Sequence, residues 1–161
     1  MKGKEHKFRT TIRWKRKARP APALYTRDHK VDFHGKTELA LSAAPEYFGN
    51  PELVNPEELY VSSISSCHMM TYIYLCYCND MLVSEYKDDA VGYLTQDEGL
   101  FRIQRVKLRP MITFQTEDTR EKRALAIRMI GEAQDECYIS NSINTRVDIE
   151  PLFVFDLQDY G

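Results

Sequence analysis

The sequence predicts an α+β fold in a single domain spanning residues 1–161. Three observations lead there. A long apolar segment, Leu59 to Leu82, follows a strong helix-start signal. Segments of strand character lie next to one another in the chain on both sides of it. A second helix pattern comes late, between strands, so helices and strands do not alternate as a parallel α/β sheet requires.

In residues 6–17, Lys7, Arg9, Arg13 and Lys15 alternate with Phe8, Ile12 and Trp14, as in a strand with one wet face. Pro20 and Pro22 break the chain. Lys30 to Phe33 and Glu38 to Leu41 read as short strands on either side of Gly35. Residues 43–55 hold Pro45, Gly49, Asn50 and Pro51 and read as a loop. Asn55 can cap a helix, Pro56 suits its first position, and Glu57 and Glu58 complement its dipole. This helix is expected to reach about Met81 and to be central and buried, because it is apolar or small on nearly every face. Ser62, Ser63, Ser65 and Ser66 would let other backbone approach closely, and Met69, Met70, Tyr72, Tyr74 and Tyr77 would pack the core. Residues 86–95 and 101–114 read as hairpin strands about Asp97-Glu98-Gly99. Thr119 to Gln134 reads as an amphipathic helix, with Leu125, Ile127, Met129, Ile130 and Ala133 inward and Arg120, Lys122, Arg123 and Arg128 outward. A helical turn over Ser140 to Asn144 and one or two strands over Thr145 to Leu157, split near Pro151, complete the chain.

Hydrophobic residues make up 43% of the chain and charged residues 29%, which suits a folded core rather than disorder. Ser62, Ser63, Ser65, Ser66, His68, Asn79 and Asp80 interrupt the apolar segment, so it does not read as a membrane span. The N-terminus, Met1-Lys2-Gly3-Lys4-Glu5-His6, lacks the apolar core of a secretory signal. Cys67, Cys76, Cys78 and Cys137 are therefore expected as reduced thiols of a cytoplasmic protein. Residues 1–36 carry twelve Lys/Arg against three Asp/Glu, but the charges alternate with apolar residues as on a wet strand face, so nucleic-acid binding is not expected.

The cysteines carry the chemistry. Cys67 is expected deep on the central helix, where burial raises a thiol's pKa, so a nucleophilic Cys67 needs a cation nearby. No Lys or Arg occurs from Thr37 to Tyr86. His68, the next residue on a helix, points about 100° away from Cys67 and is a poor base for it. The cation must come from residue 36 or earlier, from residue 87 or later, or from a partner chain, and Arg27 in Tyr25-Thr26-Arg27-Asp28-His29 is the favoured candidate. Glu57 precedes Cys67 by ten residues, roughly 15 Å along a straight helix, so it would act by holding the arginine. Cys76 and Cys78 cannot reach Cys67 along one helix, and Cys76-Tyr77-Cys78 points its thiols apart, which argues against a zinc site. Cys137 is the remaining thiol that folding could bring to Cys67. The plain alternative is that Cys67 is a buried core cysteine.

The segments Asn55-Pro56-Glu57-Glu58-Leu59, Ser66-Cys67-His68 and Cys137-Tyr138-Ile139-Ser140-Asn141-Ser142 resemble those of the OsmC/Ohr family, the osmotically inducible and organic hydroperoxide resistance proteins. The order of elements is similar from about His6 to Leu157. The resemblance implies an OsmC-like fold of antiparallel sheets around a long buried helix, built as an intertwined homodimer. It implies a thiol peroxidase acting on organic hydroperoxides and more weakly on hydrogen peroxide, with a dithiol reductant of lipoyl type and no cofactor or metal. Cys67 would match the peroxidatic cysteine, Cys137 the resolving one, Glu57 the carboxylate that holds the site arginine, and Arg27 that arginine as placed in the Ohr branch. The OsmC branch places its arginine nearer the Asn-Pro-Glu motif, where this chain has none. The family usually has proline where Tyr138 stands. The rival expectation is a protein of this fold that binds a small hydrophobic ligand at the dimer interface, with Cys67 inert.

Overall fold

The computed structural model describes residues 5–16 and 25–157, so the expected break at Pro20 and Pro22 lies outside the described residues. The chain forms two compact units, one up to Leu59 and one from Tyr60.

In the first unit, β1 (Thr11–Arg13), β2 (His29–Asp32) and β3 (Glu38–Leu41) form an antiparallel sheet in that order. β1 is shorter than the alternation in residues 6–17 predicts. The chain turns between β2 and β3 through His34 and Gly35, both left-handed at φ 47° and 78°. Glycine meets no steric penalty there, and Asp32 Oδ1 accepts the His34 N–H at 2.7 Å. The basic face is partly neutralised, since Arg13 pairs with Glu38 and Asp32, and Lys30 pairs with Glu38. In the loop that follows, a Cβ at Gly49 would stand 1.5 Å from the Ala43 carbonyl oxygen, so only glycine fits.

Helix α1 (Pro56–Cys78) starts with a reciprocal cap. Asn55 Oδ1 accepts the Glu58 N–H at 2.8 Å, and Glu58 Oε2 accepts the Asn55 N–H at 3.0 Å. It ends three residues before the expected Met81 because Asp80 turns left-handed at φ 54° and Met81 N–H returns to the Cys76 carbonyl at 2.9 Å.

The second unit holds two three-stranded sheets. One is ordered β4 (Val83–Asp88), β7 (Pro110–Phe114), β9 (Leu152–Phe155); the other β5 (Val91–Asp97), β6 (Leu100–Leu108), β8 (Arg146–Ile149). The expected pair of hairpin strands therefore becomes four. Both strands break at matching places, near Asp89 and Arg109, and the halves pair in different sheets. Asp88 Oδ1 accepts the Arg109 N–H at 2.6 Å at this joint. The last segment divides likewise, β8 running parallel to β6 and β9 parallel to β7, so both sheets are mixed rather than purely antiparallel.

Helix α2 (Arg120–Glu136) is capped by Thr119, whose hydroxyl accepts the Lys122 N–H at 3.2 Å. Its buried residues are Ala126, Met129, Ile130 and Ala133. Ile127, expected inward, is 62% exposed, because the helical period that buries 126, 129, 130 and 133 turns 127 outward.

α1 buries a stripe of every fourth residue: Ile64, His68, Tyr72 and Cys76. Tyr72 and Cys76 pack with Ile112 and Phe114 of β7 and with Ala126 and Met129 of α2. Ile64 packs with Val106 and Leu108 of β6. Of the residues expected in the core, Met70, Tyr74 and Tyr77 are exposed, with Tyr77 at 81%. One chain offers α1 cover along a single stripe, and these side chains lie off it. Among the described residues no helix is long and apolar enough to cross a membrane.

Candidate active site

The thiols of Cys67 and Cys137 are neighbours, close enough for each to act on the acidity of the other. Cys67 sits on the middle of α1, one residue off the buried stripe, and is only partly buried. Cys137 caps the C-terminus of α2 and is fully buried. Cys67, expected deep, is instead the less buried thiol of the two. Cys67 precedes the inward His68, so it turns toward the edge of the packed face.

The segment after Cys137 is tied down at several points. Its own conformation is extended, at φ −71° and ψ 113°, which ends α2. The Asn141 N–H donates to the Cys137 carbonyl at 3.0 Å, and Asn141 Nδ2 donates to the Asp135 carbonyl at 2.8 Å. Ser142 Oγ donates to the Tyr138 carbonyl at 2.6 Å. These bonds close a 3-10 turn over Ser140–Ser142 and aim amides back at the sulfurs. The Ser140 N–H donates to Cys137 Sγ at 3.5 Å, as an N-cap side chain accepts from the residue three places on. The Ile139 and Tyr138 amides act on Cys67.

The two thiols differ in acidity. Burial pushes the Cys67 thiol up, and sharing a proton with Cys137 pushes it further, against the two amides. Burial also acts to raise Cys137, but the neighbouring Cys67 and Ser140 side chains and the amides of Ser140 and Ile139 outweigh it and lower the thiol. Within this pair Cys137 gives up its proton more readily than Cys67. No cation is among the dominant influences on Cys67.

Arg27 and Glu57 belong to the first unit. The Arg27 guanidinium lies 4.8 Å from the centroid of the Tyr25 ring and 5.5 Å from that of Phe48, a cation held by aromatic faces. Glu57 occupies the first turn of α1, and its Oε2 is buried without a hydrogen-bond partner among the described residues. No ion pair joins Arg27 to Glu57 among the described residues.

His68 is buried, its Nε2 3.4 Å from the Ile130 carbonyl and its Nδ1 3.3 Å from the Tyr86 hydroxyl. The carbonyl can only accept, so Nε2 carries the proton and Nδ1 accepts from Tyr86. Burial lowers the His68 pKa, with the Ile130 carbonyl and Asp88 acting the other way. Cys76 is pushed up to about 12 by burial and is an inert core thiol. Cys78 is exposed. Among the described residues no group of His, Cys, Asp and Glu could hold a metal ion.

The expectation from sequence gave Ser140 and the Tyr138 amide no role. The signal was present, since a serine three residues after a cysteine at a helix end is the spacing of a local side-chain-to-amide turn.

Fold and site together define an α+β protein with a dithiol in contact between a helix middle and a helix C-terminus. A model of the family described as OsmC-like protein matches residues 49–151. An OsmC-like protein of unknown function from Vibrio cholerae is 30% identical, with the match covering 92% of this chain and all of that one at a TM-score of 0.82. An organic hydroperoxide resistance protein from Elizabethkingia anophelis is 20% identical over 97% of this chain and all of that one, at a TM-score of 0.69. The uncharacterised protein YmaD of Bacillus subtilis is 21% identical over 116 residues, 72% of this chain and 77% of its own length. The chain belongs to the OsmC-like protein family.

Proposed function

We propose that the protein is a cysteine peroxidase that reduces organic hydroperoxides, and hydrogen peroxide more weakly, in defence against oxidative stress. The observation that carries this reading is the contact between the accessible Cys67 and the buried Cys137. Cys67 sulfur attacks a peroxide oxygen. An S–O bond forms, the O–O bond breaks, and the alcohol leaves with the thiol proton. Cys137 sulfur then attacks the Cys67 sulfenic acid. The S–S bond forms, the S–O bond breaks, and water leaves, its second proton balancing the one that Cys137 gives up to solvent. A small dithiol of lipoyl class restores both thiols by exchange.

Arg27 and Glu57 complete the site in this reading. Burial disfavours the Cys67 thiolate, and a guanidinium beside it would stabilise that thiolate and ease loss of its proton. A buried carboxylate oxygen without a partner calls for a donor, and Glu57 Oε2 is such an oxygen. A second copy of the chain would cover the exposed α1 face of Met70, Ile73, Tyr74 and Tyr77, giving a homodimer. A reducing, cytoplasmic setting fits the four free thiols.

One observation favours a rival, a hydrophobic-ligand binder with Cys67 inert: the raised Cys67 thiol itself. Peroxide consumption with dithiothreitol or dihydrolipoamide separates the two. Wild type should turn over cumene hydroperoxide, and Cys67→Ser should not. Equal rates in both would exclude the peroxidase.

A further inference from the structure

Cys137 sits where a thiolate is disfavoured. It is fully buried, and it follows the C-terminal turn of α2, whose unsatisfied carbonyls carry partial negative charge. Asp135 and Glu136 precede it. Its sulfur is nevertheless turned toward Ser140, whose N–H donates to it at 3.5 Å. The Ser140 hydroxyl is itself buried and has no hydrogen-bond partner among the described residues. It belongs to the residue whose N–H already reaches the Cys137 sulfur, so it is a donor free to turn to that sulfur when negative charge sits there.

Resting on the peroxidase reading, we propose that Ser140 is a positioning residue for the resolving step, holding the Cys137 sulfur through both its N–H and its hydroxyl in the form that attacks the Cys67 sulfenic acid. The Cys137 thiolate attacks Cys67 sulfur, the S–S bond forms, and the S–O bond breaks. Hydroxide leaves and takes a proton from solvent. No side-chain base is required, which agrees with His68 being buried and bonded elsewhere. The groups facing the Cys137 sulfur are the Cys67 thiol, the Ser140 hydroxyl, and the amides of Ile139 and Ser140.

The test uses the full chain and two variants. Ser140→Ala removes the hydroxyl and keeps the amide; Ser140→Thr restores a hydroxyl. After one equivalent of cumene hydroperoxide, dimedone trapping should show the Cys67 sulfenic acid persisting roughly tenfold longer in Ser140→Ala, the loss of one hydrogen bond to a charged sulfur, with Ser140→Thr near wild type. Disulfide closing equally fast in Ser140→Ala would overturn the proposal. A second readout needs no peroxide. In a Cys67→Ser background, thiolate absorbance at about 240 nm should rise at higher pH when Ser140 is alanine, because a stabilising donor is lost. An unchanged titration would overturn the proposal even if wild type proved to be no peroxidase, while a wild type that forms no sulfenic acid but shows the shift would sink only the function.

Discussion

His68 gives the fold a pH dependence whose sign and size can be worked out. Its ring is buried between α1, α2 and β4, donating to Ile130 and accepting from Tyr86. Burial lowers its pKa below that of the unfolded chain. The unfolded state therefore binds more protons as pH falls through about 6.5, and stability is lost in that direction. If the buried ring stays neutral at the acid end, moving from pH 7.5 to 5.5 removes up to about 1.4 kcal/mol through this residue alone. His68→Gln is the informative change, because an amide can still accept from Tyr86 and donate to Ile130 but does not titrate. Urea unfolding of both proteins at pH 7.5, 6.5 and 5.5 isolates the effect, since the carboxylates contribute equally and cancel. Wild type should lose about 1 kcal/mol more than His68→Gln over that range. Parallel pH profiles would refute the reasoning, and a steeper loss in His68→Gln would reverse its sign.

Asn55→Ala removes the reciprocal cap of α1 and should cost about 1 kcal/mol in urea unfolding without changing the denaturant slope. Phe114→Ala empties a fully buried site stacked on Phe155 and should cost about 3–5 kcal/mol, read as a fall in the unfolding midpoint. Tyr74→Glu places a charge on the exposed face of α1; if a second copy covers that face, sedimentation should show dimer in wild type and monomer in the variant. Monomer in both would remove the dimer from the account.

The legible parts of the fold were those set by local chemistry. Asn55-Pro56-Glu57-Glu58 marked the start of α1 because cap, proline and acids act within one turn. The turns at Gly35 and Gly99 were marked by residues that tolerate positive φ. What depends on long-range pairing was not legible. Residues 86–95 and 101–114 gave no local sign that their halves part into two sheets, and the parallel pairing of β8 and β9 is made with strands some 40 residues earlier. α1 is apolar or small on nearly every face, so no periodicity marks which stripe faces the sheets. At the site, helix geometry disqualified Cys76 and Cys78 as partners for Cys67, and Cys76 is an inert core thiol. The partial exposure of Cys67 and the burial of Cys137 had no local sign, because they depend on the one-residue offset of Cys67 from His68 and on how the turn after Cys137 folds back.

The central claim is that Cys67 and Cys137 form one redox pair. Peptide mapping by mass spectrometry, after cumene hydroperoxide without reductant, tests it most directly. A Cys67–Cys137 disulfide that forms with peroxide, disappears with dihydrolipoamide, and is replaced by a Cys67 sulfenic or sulfinic acid in Cys137→Ser is the predicted result. Peroxide treatment that leaves both thiols free, or links either one to Cys78 instead, would contradict the account.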